Sequence, residues 1–312
     1  MVTAPVPPSP LPRPALDSHT HLDMIDEPVV DVLAAARAAG IVRVVTVGTT
    51  LESSRWSARC AEEHDAVYAA VAIHPNDTVA ATAPPSSPAP SVTGPSSVTG
   101  PSSVTGPSAV TGPSSLTRAP SGTGPTLAAD EVLAAIEALA SRPRVRAVGE
   151  TGLDYYRDHA APDVQRWWFR EHIKIAKRTG KALMIHDREA HADVLRILEV
   201  DGPPPRVVFH CFSGDAAMAK RCAEAGYVMS FAGNVTFSNA QPLRDAAAAA
   251  PPDLILVETD APFLTPVPNR GKPNSPAMAA YTLRRIAEVK DMDVADLCDA
   301  VTATAARLFG PW

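Results

Sequence analysis

The chain has 312 residues, of which 46% are hydrophobic and 20% are charged, and its formal net charge is −6 at pH 7. This composition is typical of a folded globular chain and excludes a fibrous or wholly disordered protein. The acidic balance argues against a module that holds duplex nucleic acid through a broad basic surface.

Prolines divide the chain into folded and unfolded parts. The sequence contains 32 prolines, and half of them lie in residues 1–14 and 83–125. The second cluster repeats Val-Thr-Gly-Pro-Ser from Val92, Val98 and Val104 and has no aromatic residue, so it cannot bury enough apolar surface to fold. We predict a disordered tail at 1–14 and one folded domain over 15–312, interrupted by a disordered insertion at 83–125. The insertion is either a passive surface loop, which we favour, or a proline-rich docking tract.

Eight short apolar runs predict buried strands that alternate with helical stretches. Apolar residues on both faces of each run are typical of a parallel sheet covered on both sides. The predicted strands are Ala15–His19, Val42–Val47, Val67–Ile73, Val145–Gly149, Ala182–His186, Val207–Cys211, Tyr227–Ala232 and Leu254–Glu258. The predicted helices include Pro28–Ala39, Leu51–His64, Leu127–Ala140, Asp163–Thr179, Ala190–Glu199, Ala216–Ala225, Ser275–Lys290 and Val294–Leu308.

This alternation predicts an α/β fold. Eight strand–helix units in about 250 residues favour a single (β/α)8 TIM barrel, with the Pro/Ser/Thr/Gly repeat inserted after the third strand. A doubly wound open sheet is the alternative on strand count alone. Four cysteines without CxxC spacing predict reduced thiols and a cytoplasmic location. Neither a signal peptide nor an apolar run of about 18 residues is present, so we expect no membrane segment.

Metal-binding side chains stand at the ends of five of the predicted strands. They are His19 and His21 at the end of the first, Glu150 at the fourth, His186 at the fifth, His210 at the sixth and Asp260 at the eighth. A single histidine in such a place is more often structural, but six polar groups at one barrel mouth would otherwise each need a separate partner. Imidazole and carboxylate without cysteine predict a catalytic divalent site for Zn, Mg, Mn or Fe. Six ligands exceed the need of one open ion, so we expect two divalent metal ions with a carboxylate between them. His74 follows the third strand at the same rim and is a candidate for substrate contact or for positioning a metal-bound water.

Six short motifs contain these residues. They are Asp-Ser-His-Thr-His-Leu-Asp (17–23), Ala-Ile-His-Pro-Asn (72–76), Gly-Glu-Thr-Gly-Leu-Asp-Tyr-Tyr-Arg (149–157), Met-Ile-His-Asp-Arg (184–188), His-Cys-Phe-Ser-Gly (210–214) and Glu-Thr-Asp-Ala-Pro-Phe-Leu (258–264). In this order they resemble the TatD family of metal-dependent hydrolases and deoxyribonucleases, whose fold is an amidohydrolase-type barrel. The resemblance spans the chain outside the two proline-rich stretches.

The resemblance implies a ligand set. His19, His21, Glu150 and Asp260 would hold one ion, and Glu150, His186 and His210 the second, with Glu150 bridging. Related barrels bridge their ions with a carbamylated lysine after the fourth strand, but no lysine lies between Gly149 and His159 in this chain. The chain departs from the family pattern in its repeat insertion after His74 and in Asn76, where the family often has a second histidine or another polar residue.

We predict a metal-dependent phosphodiesterase, a 3′-to-5′ exonuclease on single-stranded DNA that takes DNA ends or oligonucleotides as substrate and acts as a monomer. Asp260 would be the general base beside the bridging Glu150. Substrate phosphate would be met by Arg157, Arg270 and Lys272, for which solvated surface charge is the alternative. Tyr155, Tyr156 and Phe212 would stack on bases or pack in the core. The same ligand set also suits an ester, lactone or aminoacyl-tRNA deacylase, and a non-catalytic scaffold presenting the repeat is the alternative of another class.

Overall fold

The structure of the chain is a computed structural model that describes residues 4–78, 127–157 and 159–311. The insertion predicted at 83–125 lies outside these residues. Eight parallel strands pair in chain order, as the prediction of a barrel requires. They are β1 (Ala15–Thr20), β2 (Ile41–Val47), β3 (Val67–Val71), β4 (Val145–Asp154), β5 (Ala182–Arg188), β6 (Val207–Phe209), β7 (Val228–Phe231) and β8 (Ile255–Val257).

The end of β1 lies against the segment that follows β8 and so brings the last unit back to the first. The N–H of Asp260 donates to the carbonyl oxygen of His19 at 3.0 Å, and the N–H of His21 donates to that of Ala261 at 2.8 Å. The result is a single (β/α)8 barrel, and the open-sheet alternative is excluded. Two predicted ligands, His19 and Asp260, become neighbours through these backbone bonds.

Helices cover the outside of the barrel. They are α1 (Val29–Ala38), α2 (Leu51–Glu63), α3 (Ala129–Ala140), α4 (Pro162–Thr179), α5 (His191–Asp201), α6 (Ala216–Glu224), α7 (Gln241–Ala249), α8 (Ala279–Lys290) and α9 (Val294–Phe309). Side chains cap the N-termini of two of these helices. The Thr50 side chain accepts from the Ser53 N–H at α2, and Asp215 accepts from the Met218 N–H at α6. In the ranges that the structure describes, no helix combines the length and apolarity needed to cross a bilayer.

Two elements differ from the sequence prediction. Helix α7 was not among the helices named from the sequence, although its alanine-rich sequence has strong helix propensity. Strand β4 was predicted to end at Gly149 and continues to Asp154 instead. It continues because its second half pairs with β5, where Gly152 lies opposite His186 and Asp154 lies opposite Arg188. This pairing brings the motif after Gly149 to the same height as the end of β5.

The N-terminal segment also differs from the tail that its composition predicted. Residues 4–14 lie along the barrel wall, and Leu11 is buried and donates its N–H to the Ala39 carbonyl at 3.0 Å. The buried Asn269 side chain accepts from the Val6 N–H at 2.7 Å and donates to the Val6 carbonyl at 2.7 Å. Proline-rich backbone lacks donors to pair its own carbonyls, and here side chains of the barrel supply them. The segment therefore supports the loop that follows β8.

Candidate metal centre

Six side chains meet at the carboxyl-terminal mouth of the barrel, and we call them the metal cluster: His19, His21, Glu150, His186, His210 and Asp260. All six were predicted from strand ends, and the structure brings all six together. Four of them are buried, while His186 and Asp260 keep side-chain exposures of 16% and 15%. The cluster is therefore a concave polar site whose two most open members face the mouth.

The Glu150 carboxylate divides the metal cluster into two groups. Its Oε2 lies 3.5 Å from His19 Nε2 and 3.8 Å from His21 Nε2. Its Oε1 lies 2.6 Å from His186 Nδ1 and 2.7 Å from His210 Nε2. Asp260 completes the first group, because its Oδ1 is 3.7 Å from His19 Nε2 and 3.5 Å from His21 Nε2. One carboxylate oxygen thus faces each group, which is the arrangement that a bridging ligand needs.

Burial and mutual attraction set the charges of these groups. Burial favours the neutral form of Glu150, but the charge of His210 and the hydrogen bonds from His186 and His19 hold the pKa of Glu150 well below its usual range. Burial likewise opposes the charge on His21, yet the hydrogen bond to Asp260 and the charge of Glu150 raise the pKa of His21 to about 9. Without a metal, the carboxylates therefore hold a proton on His21. A metal ion has to displace that proton, so metal affinity should fall as the pH is lowered.

Each histidine of the metal cluster directs one ring nitrogen to the centre and the other to a partner outside it. His21 Nδ1 lies 3.0 Å from the Val47 carbonyl oxygen, and His19 Nδ1 lies 3.2 Å from the Met184 sulfur. A donor hydrogen on that outer nitrogen leaves the inner nitrogen with a free lone pair, as a metal ligand requires. The backbone and the core thus fix the orientation of the β1 histidines.

Two carboxylates that the sequence analysis did not single out hold the remaining histidines. Asp154 Oδ2 lies 3.2 Å from His186 Nε2, and Glu258 Oε1 lies 3.4 Å from His210 Nδ1. Both carboxylates are buried. They belong to motifs already recognised, but their role depends on which side chain the neighbouring strand places beside them, and strand periodicity alone does not show it.

Asp17 connects the first strand of the barrel to the segment after the last strand, beside the metal cluster. Its carboxylate accepts from the Thr259 N–H at 2.9 Å and the Thr259 hydroxyl at 2.5 Å, and it is completely buried. Burial raises the pKa of Asp17 well above its usual range, although these hydrogen bonds oppose the shift. Asp17 therefore fixes β1 to the segment that carries Asp260 rather than facing the mouth.

His74 lies against the metal cluster, where its ring can donate a hydrogen bond to Glu150. Its Nε2 is 3.4 Å from Glu150 Oε1, and its Nδ1 accepts from the Asn76 N–H at 3.0 Å. Burial lowers the pKa of His74, so the ring is neutral and its single hydrogen lies on Nε2. That hydrogen can be donated to Glu150. His74 thus orients Glu150, and its predicted contact with substrate stays a proposal.

Removing the charge of the partner carboxylates should weaken metal binding without removing a ligand. We expect Asp154→Asn and Glu258→Gln each to lower the affinity for a metal ion held by His186 and His210 by about 10- to 100-fold, because these histidines lose the group that orients them. Competition with a chromogenic chelator would measure the affinity. Asp193→Asn is the matched control, since Asp193 accepts from the Tyr155 hydroxyl at 2.7 Å and contacts no cluster residue. Unchanged affinity in both variants would contradict the role assigned to the partners.

The three cations predicted to contact phosphate lie outside the metal cluster. The Lys272 ammonium donates to the Ala4 carbonyl at 3.2 Å, and the Arg270 guanidinium lies 4.4 Å from the centre of the Phe237 ring. Arg157 is exposed on the loop after β4. Lys272 thus has its partner in the N-terminal segment and Arg270 has its partner in the loop after β7, whereas Arg157 is available to solvent. None of the three lies in the metal cluster.

The three aromatic side chains predicted to stack on bases differ in how far they are exposed. Phe212 is 2% exposed and packs among other phenylalanines, so it belongs to the core. Tyr155 is half-buried and donates to Asp193. Tyr156 is 44% exposed, which leaves its ring available at the mouth.

Comparison with protein-family models and curated proteins gives a match along nearly the whole chain. The family model described as TatD related DNase matches residues 16–310. The uncharacterized metal-dependent hydrolase TatD of Mycobacterium tuberculosis is 40% identical over 304 residues, covering 95% of this chain and 97% of the relative. The uncharacterized metal-dependent hydrolase YabD of Bacillus subtilis is 32% identical over 296 residues, covering 94% and 98%.

Solved structures share the fold. YjjV, a TatD homologue of Escherichia coli K12, superposes with a TM-score of 0.76 at 24% identity and covers 96% of this chain and 98% of its own. A TatD family hydrolase of Entamoeba histolytica gives a TM-score of 0.71 at 15% identity, covering 97% and 100%. At these identities the likeness shows a common barrel.

Proposed function

Since this chain belongs to the TatD family of metal-dependent hydrolases, we propose that it hydrolyses phosphodiester bonds and releases nucleotides from the 3′ end of single-stranded DNA. The family description as TatD related DNases supports the substrate class. The observation that carries the proposal is the Glu150 carboxylate, whose two oxygens face two separate groups of nitrogen and oxygen ligands. Paired divalent ions suit the in-line displacement of a phosphodiester.

The donor set fits two divalent ions. His19, His21 and Asp260 with Glu150 Oε2 would hold one, and His186 and His210 with Glu150 Oε1 would hold the other. The nitrogen and oxygen donors without thiolate suit Zn, Mn, Mg or Fe, with no preference fixed by ligand type alone. The inner nitrogens of the cluster histidines are free to bind because the outer ones have partners.

The proposed chemistry needs a proton acceptor at the mouth. Divalent ions bound here would ionise a water near neutral pH and polarise a phosphoryl oxygen. Burial favours the neutral form of Asp260, but the hydrogen bond from His21 and the neighbouring imidazoles lower the pKa of Asp260, so its carboxylate is ionised. Its side chain is also open enough to reach the mouth. Asp260 can therefore take the proton of the attacking water as general base.

A nuclease assay tests the proposal. With Mn²⁺, Mg²⁺ or Zn²⁺ added, we expect the wild-type chain to release mononucleotides from a single-stranded oligonucleotide labelled at its 5′ end. Asp260→Asn and His19→Ala should each lower the rate by at least about 100-fold, because each loses a group of the first ion site. Folding of the variants is checked by circular dichroism.

The same assay separates the alternatives. Wild-type chain that cleaves p-nitrophenyl esters or aminoacyl-tRNA but releases no nucleotide with any metal would replace the nuclease by a deacylase. Undiminished activity of Asp260→Asn would refute the proposed base. A chain without turnover on any substrate, which loses a binding partner when residues 84–125 are deleted, would favour the scaffold.

A further inference from the structure

Arg188 places a cation at the mouth beside the metal cluster. It is the last residue of β5, two positions after His186, so both side chains leave the strand on the same side, about 7 Å apart along it. Its backbone is fixed, because Arg188 lies opposite Asp154 in the β4–β5 register and its carbonyl accepts from the Tyr155 N–H at 3.0 Å. Its charge also reaches the thiol of Cys211, next to His210, where it opposes the burial and the nearby carboxylates that raise the pKa of Cys211.

The Arg188 guanidinium stacks on an exposed ring. Its Cζ lies 3.9 Å from the centre of the Tyr156 ring, which is 44% exposed. Stacking occupies one face of the guanidinium and leaves its N–H edges free for hydrogen bonds in the plane. In the part of the chain that the structure describes, no carboxylate forms an ion pair with Arg188. The half-buried guanidinium is thus held in place by the ring and has no carboxylate partner among the described residues.

The other cations around the mouth are less suited to meet an anion. The Lys272 ammonium bonds to the N-terminal segment, and Arg270 stacks on Phe237. Arg157 is exposed, and no side-chain contact of it orders the guanidinium within the described ranges. An ordered arginine next to two metal ions would repel them unless an anion lay between them. A phosphate suits this place, because its oxygens can bind the ions and also accept hydrogen bonds from the guanidinium.

We propose that Arg188, held flat by Tyr156, binds a phosphate of the substrate beside the metal cluster. This inference rests on the proposed function, since it names the residue pair that recognises the substrate's phosphate at that site. Arg188 would contribute binding and orientation, and Tyr156 would act as a positioning residue. The pair would distinguish phosphodiesters from neutral esters, which offer no anion to the guanidinium.

Steady-state kinetics of the metal-loaded protein test the proposal. For Arg188→Met we expect the KM for a single-stranded oligonucleotide to rise by about 10- to 100-fold with a smaller change in kcat, because one charge-assisted phosphate contact is lost. Arg188→Lys should recover part of the loss, and Tyr156→Phe should be close to wild type while Tyr156→Leu is weakened. Arg59→Met, at an exposed position on α2, is the matched control.

Two further measurements separate this proposal from the proposed function. Metal content should stay at the wild-type value in Arg188→Met, and binding of inorganic phosphate or thymidine 5′-monophosphate, measured by calorimetry, should weaken by a similar factor. If the wild type cleaves no phosphodiester, the proposed function fails, while weaker phosphate binding by Arg188→Met still supports the site. Unchanged KM and unchanged phosphate binding in Arg188→Met would overturn the assignment of Arg188, whatever the activity of the wild type.

Discussion

Replacing Glu150 with glutamine is expected to lower kcat by about 1,000-fold or more and to reduce the metal content below two ions per chain. The substitution keeps the shape of the side chain but removes the one carboxylate that faces both halves of the metal cluster. Oε1 and Oε2 are each within 4 Å of two cluster histidines. An amide is neutral and presents only one oxygen, so neither half keeps an anionic ligand from residue 150 and the two ions that we propose would lose their bridge.

Metal analysis of the purified variant, together with kcat on an oligonucleotide, measures both effects. Glu189→Gln is the matched control, because Glu189 is an exposed carboxylate on the same rim, three residues after His186. It should keep the wild-type metal content and rate. Two tightly bound ions and wild-type turnover in Glu150→Gln would show that Glu150 is not the bridge.

The strands and the cluster residues could be predicted because one physical constraint governs both. A strand covered on both faces must be apolar along its length, so a histidine or carboxylate at its end is conspicuous. His186 and His210 were found in this way, one at the end of an apolar run and the other just beyond one. The conclusion that these ends meet needed only the rule that parallel strands of a barrel end at one mouth.

The partners of the cluster residues could not be predicted, because they depend on neighbours across strands. Asp154 reaches His186 only because β4 continues beyond Gly149 and pairs with β5. The composition around Gly149 and Gly152 is typical of a loop, and it hides that continuation. Likewise Arg188 becomes a candidate phosphate contact only because Tyr156, from the loop after β4, lies against its guanidinium. Tertiary register, which a single sequence does not show, decides these roles.

The order of the N-terminal segment also depends on tertiary contacts that its own sequence does not show. Its proline content predicted disorder, since such a segment has few donors and little apolar surface of its own. The barrel supplies what the segment lacks, through the Asn269 side chain and a site that buries Leu11. Composition describes the segment alone, whereas its order depends on the surface against which it lies.

Gly152→Ala is expected to destabilise the fold by more than about 4 kcal/mol and to remove metal binding by the second half of the cluster. Gly152 has φ +143°, and a Cβ built on it would lie 2.0 Å from the His186 carbonyl oxygen. That oxygen belongs to backbone in the middle of a strand pair and cannot move without displacing His186 itself. Either β4 or β5 must shift, and both carry residues of the metal cluster, Glu150 and His186.

The matched control for this substitution is Gly180→Ala. Gly180 also has positive φ, +65°, at the end of α4, but no atom lies within 4 Å of the position of its Cβ. Its cost should be about 1 kcal/mol, the conformational penalty of alanine in the left-handed region alone. Urea unfolding of both variants in the presence of metal, with metal content measured in parallel, separates the two contributions. Equal losses of unfolding free energy would mean that the backbone dihedral, and not the close approach of β4 to His186, makes glycine necessary at position 152.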